Sequence, residues 1–322
     1  MPHSSMRRLL IVGESSEVER CSESFRQLAP LGWEWIGIAS DTRAPQSLGK
    51  HVGTTHELTG LVTHHRATDL ALAIENPEMH LCRTIFDLAR AGIRVTDIRT
   101  FHEQLTRRLP LLGNDGAWCT ALIRMSRRSW WTRLAKRSLD MIAGAIAFTA
   151  FALVLIPVAM GLALERAGSI FVSERRVGHF GRRFILLRFR TERDYPAGRA
   201  WPFSDPPAPL RTGAVIRRLG IDRLPQCLAI LRGTLSLVGP RAAEVQYHER
   251  VEREFPMYLT RTVVKPGLTG WEQLHRESRI TYDKLRPLEY DLYYIKHQSL
   301  GLDLRILADT ALKVIRPLRI GG

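Results

Sequence analysis

Residues 216–241 read IRRLGIDRLPQCLAILRGTLSLVGPR. One carboxylate, Asp222, sits among Arg217, Arg218 and Arg223. Nearby guanidinium groups favour the ionised form of a carboxylate, and they present planar donor forks that suit phosphate. An ionised Asp facing bound phosphates is either a metal ligand or a nucleophile. The competing reading is a surface ion pair at a helix N-terminus, which is worth little. The segment closes with Ser236-Leu237-Val238-Gly239-Pro240-Arg241.

Outward from this stretch lie further blocks. Upstream are Arg176-Val177-Gly178, Phe184 and Arg188-Phe189-Arg190-Thr191; downstream are Lys265-Pro266-Gly267-Leu268-Thr269-Gly270-Trp271 and Tyr290-Asp291-Leu292-Tyr293-Tyr294-Ile295. In this order and spacing, from about Lys136 to Ile315, the set resembles the bacterial sugar transferases, the monotopic phosphoglycosyl transferases. That resemblance implies transfer of a sugar-1-phosphate from a UDP-sugar to polyprenyl (undecaprenyl) phosphate, in exopolysaccharide or glycan biosynthesis, through an aspartyl-linked phosphosugar. It implies Mg²⁺ as cofactor, membrane lipid as a partner, and a place at the inner (cytoplasmic) membrane with the catalytic domain on the cytoplasmic face. Carried over residue by residue, Asp222 matches the first acid of the family's Asp-Glu pair and is the expected nucleophile. Arg217 and Arg241 match phosphate-clamping arginines, and Arg188 stands where the family has a functional lysine. Arg176, Arg190, Arg223 and Lys265 are the further expected phosphate ligands. Asp222 and Asp291 are the expected metal ligands, a structural role being the other reading of Asp291.

The chain departs from the family pattern where the second acid is due: the run is Asp222-Arg223-Leu224-Pro225-Gln226. A guanidinium cannot act as a general base at neutral pH. It would repel Mg²⁺ or replace part of its charge. Gly220 stands where serine is common, Ala242 replaces a proline, and Glu192 stands where the family often has methionine. These changes motivate an alternative: a catalytically impaired relative acting as a membrane scaffold or regulator of polysaccharide assembly.

The composition is 45% hydrophobic and 25% charged, with a formal net charge of +15. Such an excess predicts an anionic partner. Nucleic acid is the first alternative to weigh; with no zinc-finger spacing and no RNA-binding aromatic signature no nucleic-acid partner is expected, and a basic nucleic-acid binder stays as the third reading. The four cysteines, Cys21, Cys82, Cys119 and Cys227, are widely spaced and form no zinc or disulfide pattern. Oligomeric state stays open, a homo-oligomer included.

The positive charge flanks an apolar run, Met141–Leu164, of 24 residues without a charge. As one helix it would be ~36 Å long, enough for a bilayer core of about 30 Å. Pro157 would kink it. Arg133, Lys136 and Arg137 precede the run, and Arg166, Arg175 and Arg176 follow it. Positive charge on both flanks disfavours sending either across a membrane. A helix that enters and leaves on one face satisfies both, and the resemblance implies the same re-entrant hairpin. Trp130 and Trp131, among arginines, suit a membrane interface.

Before this run the pattern is that of strands alternating with helices: strands at Arg7–Gly13, Trp33–Ala39, Asp69–Glu75 and Ile93–Asp97, and helices at Glu17–Leu28 and Met79–Ala91. This predicts a parallel, doubly wound sheet. The turn Gly13-Glu14-Ser15-Ser16-Glu17 lacks GxGxxG, and Glu14 would repel a pyrophosphate. The start, MPHSSMRRLLIVG, has too short an apolar part for a signal peptide. Phe101–Ala135 reads as a connector, and Asp194–Pro209 as a loop. The expected organisation is α/β: a Rossmann-like domain at residues 1–112, a basic connector at 113–135, a membrane-associated helix at 136–168, and a mainly helical α+β catalytic domain at 169–322.

Overall fold

The computed structural model describes residues 6–13, 18, 32–41, 50–74, 77–111, 123–124, 129–192, 209–275 and 286–319. Most of the expected Glu17–Leu28 helix, of the Gly13–Glu17 turn and of the Asp194–Pro209 loop lies outside them. The chain forms two compact units, Met1–Asn114 and Asp115–Gly322.

The first unit is built on strands β1 (Arg7–Gly13), β2 (Trp33–Ala39), β3 (His51–Gly53), β4 (Asp69–Ala73) and β5 (Arg94–Asp97). All pairs are parallel and the order is β3-β2-β1-β4-β5. Side chains alternate across a strand, so β1 feeds two cores. Leu9 and Ile11 pack with Ile38, Ile98 and Phe101 on one face. Leu10 and Val12 pack with Leu58, Val62, Leu81 and Leu88 on the other. Helices α1 (Leu58–His65) and α2 (Met79–Arg90) cover the second face, and α3 (Ile98–Thr106) covers the first. Phe101 therefore belongs to a domain core and not to a connector: Asp97 accepts the Arg99 and Thr100 amides at 3.0 and 3.2 Å and starts a helix there. Across the strands, Asp69 holds Arg7 at 2.8 Å and Arg94 at 2.7 Å.

The second unit begins with α4 (Trp130–Leu164), one helix of 35 residues that absorbs the end of the expected connector and runs through Pro157. One stripe of it is buried: Asp140, Gly144, Phe151, Val158 and Leu162, spaced as one helical face. Phe151, Val158 and Leu162 pack with Phe189, Leu210 and Ile216. The opposite stripe is apolar and bare, with Ile146 68% exposed, Leu153 75% and Leu164 84%. A contiguous apolar face of this kind marks an interaction surface.

Both ends of α4 are tied to this same unit. Lys136 Nζ donates to Asp303 at 2.7 Å, to the Tyr294 hydroxyl at 3.0 Å and to the Val238 carbonyl at 3.0 Å. Arg137 donates to the Ile230 and Leu231 carbonyls, each at 2.7 Å. These carbonyls end a short helix and would otherwise lack partners. Asp140 accepts the Ser236 hydroxyl at 3.0 Å and the Leu237 amide at 2.9 Å. At the far end, Glu165 accepts the Arg211 and Thr212 amides at 2.8 and 2.6 Å. It serves as the cap that Leu210, with no acceptor, cannot provide. Exchanging Ile146 and Leu153 for glutamate is expected to cut binding to lipid vesicles at least tenfold in a flotation assay. Unfolding stability should change by no more than about 0.5 kcal/mol, because neither side chain is part of the packed face.

After α4 come the hairpin β6 (Phe171–Val177) and β7 (Arg183–Phe189), helix α5 (Arg211–Arg218), a 3-10 turn at Ile221–Gln226, and helix α6 (Cys227–Arg232). Strand β8 (Ser236–Val238), helix α7 (Val245–Glu254), strand β9 (Gly267–Thr269), and helices α8 (Trp271–His275), α9 (Arg286–His297) and α10 (Leu300–Arg319) complete the described part.

Candidate active site

Asp222 lies in the 3-10 turn directly after α5. Gly220 makes the turn at φ 70°, a left-handed backbone that glycine adopts without cost and a serine would resist. The turn packs on β7. An open cleft of about 130 Å³ forms here, lined by Asp222, Arg223, Glu174, Arg176, Arg188 and Arg241, with Gln226 and Gln273 on its walls. Four guanidinium groups thus face two carboxylates, and the surplus of positive charge suits a pyrophosphate.

Backbone proximity explains how motifs far apart in sequence reach one cleft. Strands β8 and β9 pair in parallel, and Arg241 forms a bridge with Gly267. A Cβ on Gly267 would lie 2.1 Å from the Gly239 nitrogen, and one on Gly239 would lie 2.4 Å from the Lys265 carbonyl oxygen. Glycine at both sites lets the Gly-Pro-Arg and Lys-Pro-Gly blocks touch, and that contact delivers Arg241. Arg176 reaches the same region by donating to the Ala242 carbonyl at 3.2 Å.

Of the residues expected in the site, Asp222, Arg223, Arg176, Arg188 and Arg241 share the cleft. Four others lie elsewhere. Arg217 pairs with Glu192 at 2.6 Å and donates to the Thr191 hydroxyl at 2.7 Å. Arg190 is turned to Ser169, donating to its carbonyl at 2.8 Å and its hydroxyl at 2.7 Å. Lys265 stands near Lys136, Arg137 and Asp140 at the base of α4, and burial lowers its pKa. Asp291 is buried and forms an ion pair with Arg261 at 2.7 Å. The expected metal ligand Asp291 is not among the residues lining the cleft with Asp222, and its carboxylate is the counter-charge of a largely buried arginine.

Glu174 was missed from the sequence. The apolar run Ile170–Val172 suggests a short strand, and the Ser-Glu-Arg-Arg that follows is too polar to suggest more. The strand instead continues to Val177, held by full antiparallel register with β7. Its alternation puts Glu174 and Arg176 on one face.

The family model described as bacterial sugar transferase matches residues 131–317. The chain belongs to this family. Among curated relatives, this sugar transferase is 35% identical over 178 residues to the UDP-N-acetylgalactosamine-undecaprenyl-phosphate N-acetylgalactosaminephosphotransferase of Aeromonas hydrophila, covering 54% of this chain and 42% of the relative. It is 33% identical over 188 residues to the UDP-glucose:undecaprenyl-phosphate glucose-1-phosphate transferase of Xanthomonas campestris pv. campestris, covering 56% and 39%. A likeness to the Escherichia coli K12 protein of the same name extends over 318 residues at 26% identity, 95% of this chain and 67% of that one. The chain spans about two-fifths of the length of the first two of these relatives.

Within this sugar transferase, Asp291 is linked to the cleft lining through one residue, Arg261. Arg261, which it holds, donates to the Arg241 carbonyl at 2.9 Å and also contacts the Tyr258 hydroxyl. Burial outweighs the attraction of Arg261 and raises Asp291 from 3.8 to about 7. Below pH 7 the carboxyl takes a proton, its hold on Arg261 weakens, and Arg241 is less firmly placed. Turnover is expected to fall as pH drops through about 7, and Asp291→Asn should flatten that limb of the pH–rate profile. Stability should move the other way. The folded-state pKa lies above the unfolded one, so protonation between about pH 7 and 4 favours the folded chain.

Proposed function

We propose that this chain transfers a sugar-1-phosphate from a UDP-sugar to polyprenyl phosphate at the cytoplasmic face of the inner membrane. The observation that carries the reading is a cleft where Asp222 meets four arginines, in a unit whose longest helix bares an apolar stripe. In the first half-reaction an Asp222 oxygen attacks the β-phosphorus of the donor, the bond from that phosphorus to the bridging oxygen breaks, and UMP leaves. In the second, a phosphate oxygen of the lipid attacks the same phosphorus, and the Asp222 carboxylate is released. Neither step consumes water. Arg176, Arg188, Arg223 and Arg241 stabilise charge on the phosphate oxygens. Lipid phosphate is already anionic, so Arg223 in place of an acid removes no base that the chemistry needs.

A Mg²⁺ ion fits Asp222 together with phosphate oxygens of the donor, since this cation usually takes one or two carboxylates and keeps several waters. Among the described residues no group of three His, Cys, Asp or Glu side chains is poised to hold one. When bound, the ion would add positive charge at the phosphates. Helix α4 is read as inserting from one face, because Lys136 and Glu165 anchor both its ends to one unit. Basic flanks then rest on anionic headgroups.

The test is release of UMP when purified protein, undecaprenyl phosphate and a panel of UDP-sugars are combined. Release that requires both substrates supports the reading, and no release with any donor removes it. The impaired-relative reading rests on Arg223 in the cleft; it expects Arg223→Glu to gain turnover, and robust wild-type turnover makes it unnecessary.

A further inference from the structure

We propose that Glu174 is the second carboxylate of the cleft: a positioning residue that fixes the Arg176 and Arg188 guanidinium groups, in place of the acid absent at position 223. The role rests on the transferase reading for its chemistry, but its geometry stands apart from that reading. Glu174 Oε1 lies 2.6 Å from Arg188 Nε, and Oε2 accepts Arg176 Nε at 3.0 Å and Arg176 Nη2 as well. One carboxylate thus spans two arginines on neighbouring strands of one hairpin. The side chains are only 13%, 13% and 21% exposed for Glu174, Arg176 and Arg188. At such burial the charge-assisted hydrogen bonds to Arg176 and the ion pair with Arg188 hold both guanidinium groups in place. Asp222 and Glu174 are the two acids among the cleft-lining residues. They come from separate elements, the 3-10 turn and β6, so the cleft regains a pair of carboxylates that the linear sequence lacks.

Four arginines around one anion site repel each other. Without Glu174, Arg188 would lose its ion pair at 2.6 Å and Arg176 would keep the longer one to Glu244 at 3.3 Å, so both would be less firmly oriented toward a reacting phosphorus. Misplacement of this kind costs rate even when binding survives. Glu174→Gln raises the cleft's positive charge, so UDP should bind at least as tightly as before. What should fall is kcat, by about 10- to 100-fold, from loss of orientation.

The experiment compares wild type with Glu174→Gln by labelling with phenylglyoxal, an arginine reagent, mapped by peptide mass spectrometry. This arm needs no turnover. In wild type Arg176 and Arg188 should label slowly, and in the variant at least fivefold faster; equal rates in both proteins would overturn the proposal. Kinetics supply the second arm. A fall in kcat with unchanged KM for the donor and unchanged melting temperature supports it, and wild-type kcat in the variant refutes it. The double variant Glu174→Gln/Arg223→Glu tests the exchange of positions: recovery of at least tenfold in kcat over the single variant supports it, and no recovery overturns it. If wild type itself releases no UMP, the transferase reading fails while the labelling arm still decides whether Glu174 holds the two arginines.

Discussion

Asp222→Asn is expected to abolish transfer, with kcat falling by about 10⁴-fold or more, because an amide cannot form the acyl phosphate on which both half-reactions depend. Asparagine matches the carboxylate in size, and Asp222 sits at a partly exposed position. Stability should therefore stay within about 0.5 kcal/mol of wild type. The decisive measurement uses donor alone. Wild type should release a burst of UMP no larger than one per protein, since the phosphosugar stays on the enzyme until lipid arrives. The variant should release none. A burst of unchanged size in Asp222→Asn would mean that another group accepts the phosphosugar. Steady-state turnover within tenfold of wild type would remove Asp222 from the chemistry altogether.

Lys136→Met should be among the most destabilising single changes in the second unit, by about 3–5 kcal/mol. Lys136 enters a buried site where Asp303 is 1% exposed and Tyr294 is 1% exposed. Removing the ammonium leaves Asp303 held in that network by the Tyr294 hydroxyl at 2.8 Å, and an uncompensated buried charge is costly. The loss should appear as a lower denaturant midpoint in detergent. Lys136→Met with Asp303→Leu should recover most of it, because replacing both partners of a buried pair by apolar groups is often nearly neutral. If the double variant is no better than the single one, the cost lies in helix packing and not in the stranded carboxylate. The same network holds the Val238 carbonyl, one residue before the Gly-Pro-Arg turn. Loosening it should also lower turnover in whatever protein remains folded.

Much of the architecture was legible in the sequence because it rests on local patterns. RRLLIVG is an apolar run ended by glycine, and β1 occupies those same residues, Arg7–Gly13. The uncharged run at 141–164 is a helix for the same kind of reason, as no charge or polar break interrupts it. The short strand His51–Gly53 was not legible, since three residues give no periodicity. The helix Ile98–Thr106 was not legible either. FHEQLTRR looks polar, yet Phe101, with Ile98 before it and Leu105 beside it, seats the helix in the core.

In the site, sequence order identified Asp222, Arg176, Arg188, Arg223 and Arg241, since each lies in a block with its own turn or strand signal. Which arginines face the cleft was not legible. Arg188 and Arg190 are two apart and share a face by strand alternation, but β7 ends at Phe189, so Arg190 leaves the pattern and turns to Ser169. Arg217 follows the helical repeat to Glu192, a residue whose relevance no local pattern reveals.

By itself, then, the sequence determined the two halves of this protein, its long apolar helix and the aspartate among arginines, because apolar periodicity and charge are properties of neighbouring residues. Only the tertiary structure decided that Glu174 joins Asp222 while Asp291 does not. That choice depends on the register of a hairpin, on glycines that let two strands touch, and on which carboxylate a buried arginine claims first.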